Sequence, residues 1–383
     1  MHHTNHVLWG TPHSLYTGKL RSYLINKRIA FVERMPSDPR FASQVLPHVG
    51  HFVVPVLELP DGSILQDTTE IIDALEATHQ DPVMGPPGPV QRIVADILDA
   101  FGSNYLLPLA MHYRWSFREQ QELFLRTEFA RAIPAMPHAQ RLDAAGALMD
   151  RFGGMLPSLG VVPAVIPAME ASYAELLAVL ENHFQCEPYL LGGRPSIADF
   201  GLMAPLFAHL ARDPVPAILM KTTAPSVFRW TERMNSPAIA DGNFSHSEEF
   251  PLDDAIPATL EPVLKIVFEH WGAGLAADFA AFNRWLSGLD DPQPGTLVSH
   301  DGSRQVHPNV GRVSYPWRGV TMERASHTHS IWHFARAQNA AVALTGGAAA
   351  RFAGLLERNG GLAMMRLQAD RKIAREHNVL VLA

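Results

Sequence analysis

Residues 10–21 read GTPHSLYTGKLR and follow a short apolar run at 7–9. Apolar side chains then recur at helical spacing from Tyr16 to Leu24, which predicts a strand, a turn and a helix. A hydroxyl at this turn, that of Ser14, would lie beside the free N–H groups and the positive dipole end of the helix, and these favour an anion such as a thiolate. The simpler interpretation is that Ser14 only caps the helix.

A proline enters the next β-type run, residues 53–57. Because Pro55 cannot donate to a strand ladder, it should lie at a strand start or edge. Only about 5–6% of X–Pro bonds are cis, so a trans bond is the simpler expectation. If the Val54–Pro55 bond is cis, the N–H and C=O of Val54 can point outward and pair with an extended peptide ligand.

A third segment, residues 65–71, reads LQDTTEI and begins a predicted helix. Asp67 and Glu70 have the spacing of a capping box, which needs no ligand. The functional alternative is that the hydroxyl and N–H groups of Thr68 bind a ligand carboxylate, while Asp67 and Gln66 receive its ammonium group. The end of an α-amino acid carries both charges.

The rest of the chain is predominantly helical. After a Pro- and Gly-rich linker at 81–89, the pattern is all-α to about residue 236, and the last third adds more helices, β-like pieces and a final helix ending near Glu376. The sequence therefore predicts an α+β protein. Its expected parts are a βαβ-ββα domain (1–80), an all-helical domain (90–240) and a mostly helical extension packed on the helical domain (241–383).

Two stretches of the helical part have the form of known motifs. Residues 189–200 read YLLGGRPSIADF, in which Ser196 and Asp199 should form a capping box at a buried helix start. Residues 224–234 read APSVFRWTERM. Together with the three N-terminal segments, they resemble the glutathione transferase superfamily over about residues 5–240. The extension resembles nothing that we recognise.

The resemblance implies a thioredoxin-like first domain that binds glutathione as co-substrate. It gives Ser14 the catalytic role at the thiolate, with Tyr16 and Thr11 as alternatives because Leu15, rather than the usual proline, follows Ser14. It assigns the tripeptide backbone to Val54 and Pro55, and the γ-glutamyl end to Gln66, Asp67 and Thr68. The glycine carboxylate would meet His51 or His48, although a solvent-exposed histidine is the simpler expectation for either.

The implied reaction joins the glutathione thiolate to a small hydrophobic electrophile in a homodimer. A binding or scaffold protein of the same fold without turnover is the alternative. The resemblance also leaves a dehalogenase, a β-etherase or an isomerase open, because pocket shape and not fold sets the substrate.

The composition of the chain argues against several classes of function. The 383 residues carry a net charge of −7 without a basic block, which disfavours nucleic-acid binding. The single cysteine, Cys186, forms no internal disulfide, and no signal peptide or membrane span is evident, so we expect a cytoplasmic protein. We expect Cys186 to be buried and inert. His327, His329 and His333 have a spacing that can bind metal, but no acidic residue accompanies them, and we predict no metal.

Overall fold

The computed structural model describes residues 5–134, 136–238, 242–244, 249–305 and 307–383. The chain forms two compact units that interleave along the sequence. The first unit consists of residues 1–84, 110–156 and 200–245, and the second of residues 85–109, 157–199 and 246–383. The division into three consecutive domains stays a prediction.

The N-terminal part of the first unit has the predicted thioredoxin-like order. Its elements are β1 (His6–Trp9), α1 (Leu15–Asn26), β2 (Phe31–Arg34), α2 (Leu46–Val49), β3 (Val56–Glu58), β4 (Ile64–Gln66) and α3 (Thr68–Thr78). The strands form one sheet in the order β2-β1-β3-β4, in which β1 and β2 are parallel and the other two pairs antiparallel. The predicted α+β fold class is therefore confirmed.

A compact apolar cluster holds this sheet in place. Trp9 is fully buried, and Phe41 packs on it with ring centroids 5.9 Å apart. The indole Nε1 of Trp9 donates to Glu58 Oε2 at 3.0 Å, so that its only polar atom is satisfied inside the cluster. The β1 end of the sheet, from which the turn to α1 departs, is thus rigidly packed.

Helices make up most of the remainder. They are α4 (Pro89–Ala100), α5 (Leu107–Trp115), α6 (Arg118–Arg131), α7 (His138–Gly153), α8 (Ile166–Cys186), α9 (Ile197–Ala208), α10 (Pro214–Thr223), α11 (Pro225–Asn235), α12 (Glu261–Ser287), α13 (Thr328–Val342), α14 (Gly346–Asn359) and α15 (Leu362–Met365). A π-helical turn, Phe101–Tyr105, separates α4 from α5. The separate helix α10 was not predicted; Pro214 begins it at a position that proline favours.

The predicted final helix near Glu376 is wrong. The chain instead ends in a hairpin of β7 (Ile373–Glu376) and β8 (Val379–Leu382). The two residues between the strands, His377 and Asn378, both have positive φ, which a tight hairpin turn requires. A second hairpin joins β5 (Arg312–Trp317) to β6 (Val320–Ala325).

The capping box at the start of α9 differs in one detail from its prediction. The Asp199 carboxylate accepts from the Ser196 N–H at 2.9 Å, as expected, and from the N–H of Leu190 at 3.0 Å. The Ser196 hydroxyl, however, donates to the same carboxylate at 3.0 Å rather than capping the helix. Both side chains are fully buried, and a single carboxylate satisfies three donors there.

One helical stretch, Pro89–Trp115, is long and apolar enough to cross a membrane by length and composition alone. Since 78% of its most apolar window is buried within the protein, a core helix explains that composition.

Candidate functional site

The sheet brings the three predicted N-terminal segments to one edge. Its register pairs Trp9 with Val56 and Val56 with Gln66, so these three residues form a row across β1, β3 and β4. Because β3 is antiparallel to both neighbours, the end of β1, the start of β3 and the end of β4 lie at the same side of the sheet. The turn to Ser14, the Val54–Pro55 segment and the start of α3 therefore leave the sheet together.

Ser14 is the N-cap of α1, so the simpler interpretation of this residue is correct as far as it goes. Its backbone is extended (φ −84°, ψ 129°), and its Oγ accepts from the N–H of Thr17 at a long 3.4 Å. A hydroxyl that accepts a capping bond still has its own hydrogen to donate. Ser14 is half-buried, and its hydroxyl can serve as cap and as donor to a ligand at once.

The two alternative hydroxyls differ in accessibility. Thr11 is only 4% exposed, whereas Tyr16 is half-buried like Ser14. The Thr11 N–H donates to Thr17 Oγ1 at 3.4 Å, and a Cβ on Gly10 would lie 2.3 Å from the Thr17 Cγ2. Glycine at position 10 thus allows the turn to close on Thr17, with Thr11 folded inward.

The segment that precedes β3 presents backbone groups. The Val54–Pro55 peptide bond is cis. Among the described residues, no hydrogen bond occupies the N–H or C=O of Val54, since the ladder to β1 begins only at Val56. His51 is half-buried close by in sequence, while His48 is exposed with its Nδ1 2.7 Å from the Gln44 carbonyl oxygen.

The start of α3 has an unusual backbone. Asp67 has φ +75° and ψ 127°, a conformation that costs a non-glycine residue about 1–3 kcal/mol and is concentrated at functional sites. Its Oδ1 accepts from the N–H of Thr69 at 2.8 Å, so Asp67 caps the helix as predicted. Gln66 is half-buried at the end of β4, and Thr68 is 6% exposed in the first turn of α3.

Arg114 supports the turn before Ser14, which no sequence motif indicated. Its guanidinium binds both oxygens of Asp213, at 2.6 and 2.8 Å, and donates to the backbone oxygens of His13 at 2.7 Å and Ala208 at 2.9 Å. The arginine and aspartate are 3% and 0% exposed. The contact joins residues 101 apart in sequence, so only the folded chain reveals it.

The His13 imidazole at this turn is buried and neutral. Burial, first, and then Arg114 and Arg212 hold the pKa of His13 well below its usual range, so this buried imidazole is neutral at pH 7. It stacks on Phe129 with ring centroids 4.3 Å apart, and its Nδ1 has no hydrogen-bond partner among the described residues.

Two family models match the N-terminal and the helical parts of the chain. Residues 8–83 match the glutathione S-transferase N-terminal domain, and residues 163–233 match the glutathione S-transferase C-terminal domain. Both domains of the glutathione S-transferase superfamily are therefore recognised within this chain. The helix starts at Ser14 and Asp67 and the cis-proline strand all lie within the first of them.

Solved structures of glutathione S-transferases and of a β-etherase are similar at low identity. A glutathione S-transferase from Methylobacterium radiotolerans in complex with glutathione sulfonate is 20% identical, with a TM-score of 0.37 over 65% of this chain and 96% of that one. The transferase GSTFuA3 from Phanerochaete chrysosporium is 16% identical, with a TM-score of 0.42 over 62% and 98%. The β-etherase LigF from a Sphingobium species is 18% identical, with a TM-score of 0.39 over 61% and 96%. No curated protein matches the sequence.

Two further residues that the sequence singled out lie outside the glutathione S-transferase N-terminal domain. The prediction that Cys186 is buried is wrong: it is exposed, because it ends α8 on the solvent side. His333 Nε2 lies 3.1 Å from Asp99 Oδ2, and its Nδ1 lies 3.1 Å from Asn104 Nδ2. Across the described residues, no group of three or more His, Cys, Asp and Glu could hold a metal ion.

Proposed function

We propose that the first unit binds glutathione and that the Ser14 hydroxyl holds its thiolate for transfer to a small hydrophobic electrophile. The observation that supports this most is the common sheet edge shared by Ser14, Val54–Pro55 and Gln66–Thr68. A tripeptide laid along this edge meets a hydroxyl, two unpaired backbone groups and a helix N-terminus in turn. The match to the glutathione S-transferase N-terminal domain agrees with this ligand.

Each group in the site has a separate task. The Val54 N–H and C=O pair with the cysteinyl backbone, and Pro55 fixes the direction of this segment. The start of α3 receives the γ-glutamyl end: Thr68 binds its carboxylate, while Asp67 and Gln66 bind its ammonium group. His51 receives the glycine carboxylate in this proposal. The thiol is left at the N-terminus of α1.

The chemistry needs little from the protein. The glutathione thiol loses its proton to water, and the Ser14 O–H donates to the resulting thiolate, which the dipole of α1 also stabilises. Lowering the thiol pKa by one unit corresponds to about 1.4 kcal/mol. The thiolate then attacks the electrophilic carbon, a C–S bond forms, and the leaving group departs with its electron pair.

Turnover of 1-chloro-2,4-dinitrobenzene by the full chain tests the catalytic role. Ser14→Ala should lower kcat/KM about 10- to 100-fold, the value of a hydrogen bond to a charged group, and shift the pH profile upward. Ser14→Asp keeps the helix cap but cannot donate, so it should be folded and equally inactive. Thr11→Val and Tyr16→Phe are the matched controls; a loss of activity in Tyr16→Phe with none in Ser14→Ala would assign the thiolate to Tyr16.

A binding or scaffold protein of the same fold is the second candidate, because Ser14 already has a structural role as a cap. Calorimetry with glutathione distinguishes the two: uptake of glutathione without turnover supports binding alone, and no uptake at millimolar concentration contradicts both forms of the proposal. A homodimer in the cytoplasm belongs to the proposal as well. Sedimentation equilibrium and imaging of the tagged protein test these two points.

A further inference from the structure

The second unit contains a cavity of about 40 Å³ that belongs to no part of the glutathione site. Its walls are mainly apolar and aromatic, with Trp271 and Trp317 among them and the flexible thioethers of Met169 and Met322. At roughly 10–15 Å³ for one water-sized sphere, this space holds about three waters or one molecule of about four heavy atoms.

A chain of hydrogen bonds leads from this cavity toward the surface. Tyr105 and Ser172, which both line the cavity, have their hydroxyl oxygens 3.3 Å apart. Ser172 Oγ is 2.9 Å from His270 Nδ1, and His270 Nε2 is 2.6 Å from a guanidinium nitrogen of Arg318. Glu175, which is 48% exposed, lies at the outer end, 3.3 Å from the same imidazole nitrogen.

Arg318 sets the direction of this chain. A guanidinium is always protonated and can only donate, so His270 Nε2 accepts and its Nδ1 carries the hydrogen. Nδ1–H then donates to Ser172 and the Ser172 hydroxyl donates to Tyr105, which leaves the Tyr105 O–H available to an acceptor in the cavity that Tyr105 lines. Burial raises the pKa of Tyr105, which therefore stays protonated and remains a donor.

Two local structures position the ends of the chain. Arg318 and Gly319, at φ +48° and +80°, form the two-residue turn of the β5–β6 hairpin. This turn holds the guanidinium against His270, and the Trp317 indole N–H donates to the His270 backbone oxygen at 2.9 Å. Tyr105 ends the π-helical turn Phe101–Tyr105, a deviation from α-helix that occurs often at functional sites.

The cavity offers no free positive charge. Arg324 lines it, but its guanidinium donates to Asp278, to Tyr315 and to backbone oxygens of Gly274 and Ala325. His327 also lines it and is neutral, because burial and then Arg324 lower its pKa to about 3. An anionic ligand would be desolvated there without a counter-charge, which costs free energy.

We propose that this cavity binds the carbonyl end of a small neutral molecule, an aldehyde, ketone or amide, whose oxygen accepts the Tyr105 hydroxyl hydrogen. Arg318 acts as a positioning residue, since it directs that hydrogen inward through His270 and Ser172. The proposal does not depend on glutathione binding, because every residue in it belongs to the second unit.

Ligand-observed NMR on the full chain tests the site with acetone and with acetate, which have nearly the same shape and differ in charge. We expect acetone to bind in the millimolar range and acetate to show no saturable transfer. Tyr105→Phe should weaken acetone at least fivefold while near-UV circular dichroism stays native. Equal binding of acetate, or unchanged acetone binding in Tyr105→Phe, would overturn the proposal, and so would the absence of acetone binding, which leaves the cavity to water.

The positioning role of Arg318 has its own matched control. Arg318→Met lets His270 Nε2 carry the hydrogen toward Glu175 and reverses the chain, so acetone should weaken as in Tyr105→Phe. Arg318→Lys, which keeps a donor, should restore binding. Arg318 pairs with the Glu175 carboxylate. Arg358 pairs with Glu261 at the surface in the same way, and Arg358→Met should leave acetone binding unchanged. Equal effects of Arg318→Met and Arg358→Met would contradict the directed chain.

Discussion

The candidate glutathione site and the cavity of the second unit are built in different ways. In the first, groups at one sheet edge that depend on the local main chain supply most of the proposed ligand contacts. They are the helix cap at Ser14, the backbone of Val54 and the start of α3. In the second, side chains 67 and 98 residues apart in sequence meet in one chain of hydrogen bonds. A site formed by local turns can be predicted from the sequence, whereas a site formed by side chains distant in sequence can be identified only from the fold.

The largest expected effect tests whether the candidate glutathione site also depends on residues that are distant from it in sequence. Asp213→Ala leaves the Arg114 guanidinium buried without its partner, and this loss typically costs about 3–5 kcal/mol. Because Arg114 also binds the His13 backbone oxygen, the turn before Ser14 should loosen, and any transferase activity should fall with it. Chemical denaturation followed by circular dichroism measures the free energy of unfolding.

Matched pairs show whether burial is the cause. Asp150, which pairs with Arg118, is 70% exposed, so Asp150→Ala should cost no more than about 1 kcal/mol. Asp278→Ala, which breaks the buried pair with Arg324 in the second unit, should cost as much as Asp213→Ala. Similar small losses in all three variants would contradict the view that distant side chains support both regions.

The second prediction concerns how the stability of the second unit depends on pH through a buried histidine. His183 is fully buried between Thr259 and the Tyr189 carbonyl, and burial lowers its pKa from 6.5 to about 4. The unfolded chain therefore binds the extra proton first, and stability falls as the pH drops from about 6.5 to 4, by at most about 3 kcal/mol. His183→Gln should flatten this slope in urea titrations at several pH values, whereas the exposed His300→Gln should leave it intact.

The features that the sequence predicted correctly are those determined by residues close together in the sequence. The βαβ-ββα order, most helices and the caps at Ser14 and Asp67 follow from spacing and turn residues within a few positions. Arg114 and the Tyr105 chain did not, because nothing near them in sequence marks their partners. The prediction of a final helix was wrong since the short apolar run of β8 and the turn at His377–Asn378 were missed. The prediction of a buried Cys186 was wrong because the sequence does not reveal which side of a helix end meets solvent.

The third prediction separates cap from ligand site at Asp67. Asparagine caps helices as well as aspartate and tolerates positive φ, so Asp67→Asn should change stability by less than about 0.5 kcal/mol. If Asp67 binds the ammonium group of glutathione, removing its charge should weaken binding about 10- to 100-fold. Isothermal titration with glutathione and a thermal melt of the same sample give both values. An unchanged affinity would leave Asp67 with the structural role alone.

The smallest expected effect concerns Cys186, which ends α8 in the second unit and belongs to neither site. Its side chain is exposed and unpaired, so Cys186→Ser removes no buried contact and should shift the free energy of unfolding by no more than about 0.5 kcal/mol. Ser172 lies on the same helix but is 5% exposed and hydrogen-bonded to His270, and Ser172→Ala should cost about 1–3 kcal/mol, since the buried imidazole loses its partner. Thermal melts of the two variants compare an exposed helix end with a buried helix face. A larger loss of stability in Cys186→Ser than in Ser172→Ala would mean that the hydrogen bonds linking Tyr105, Ser172 and His270 contribute nothing to the stability of the second unit.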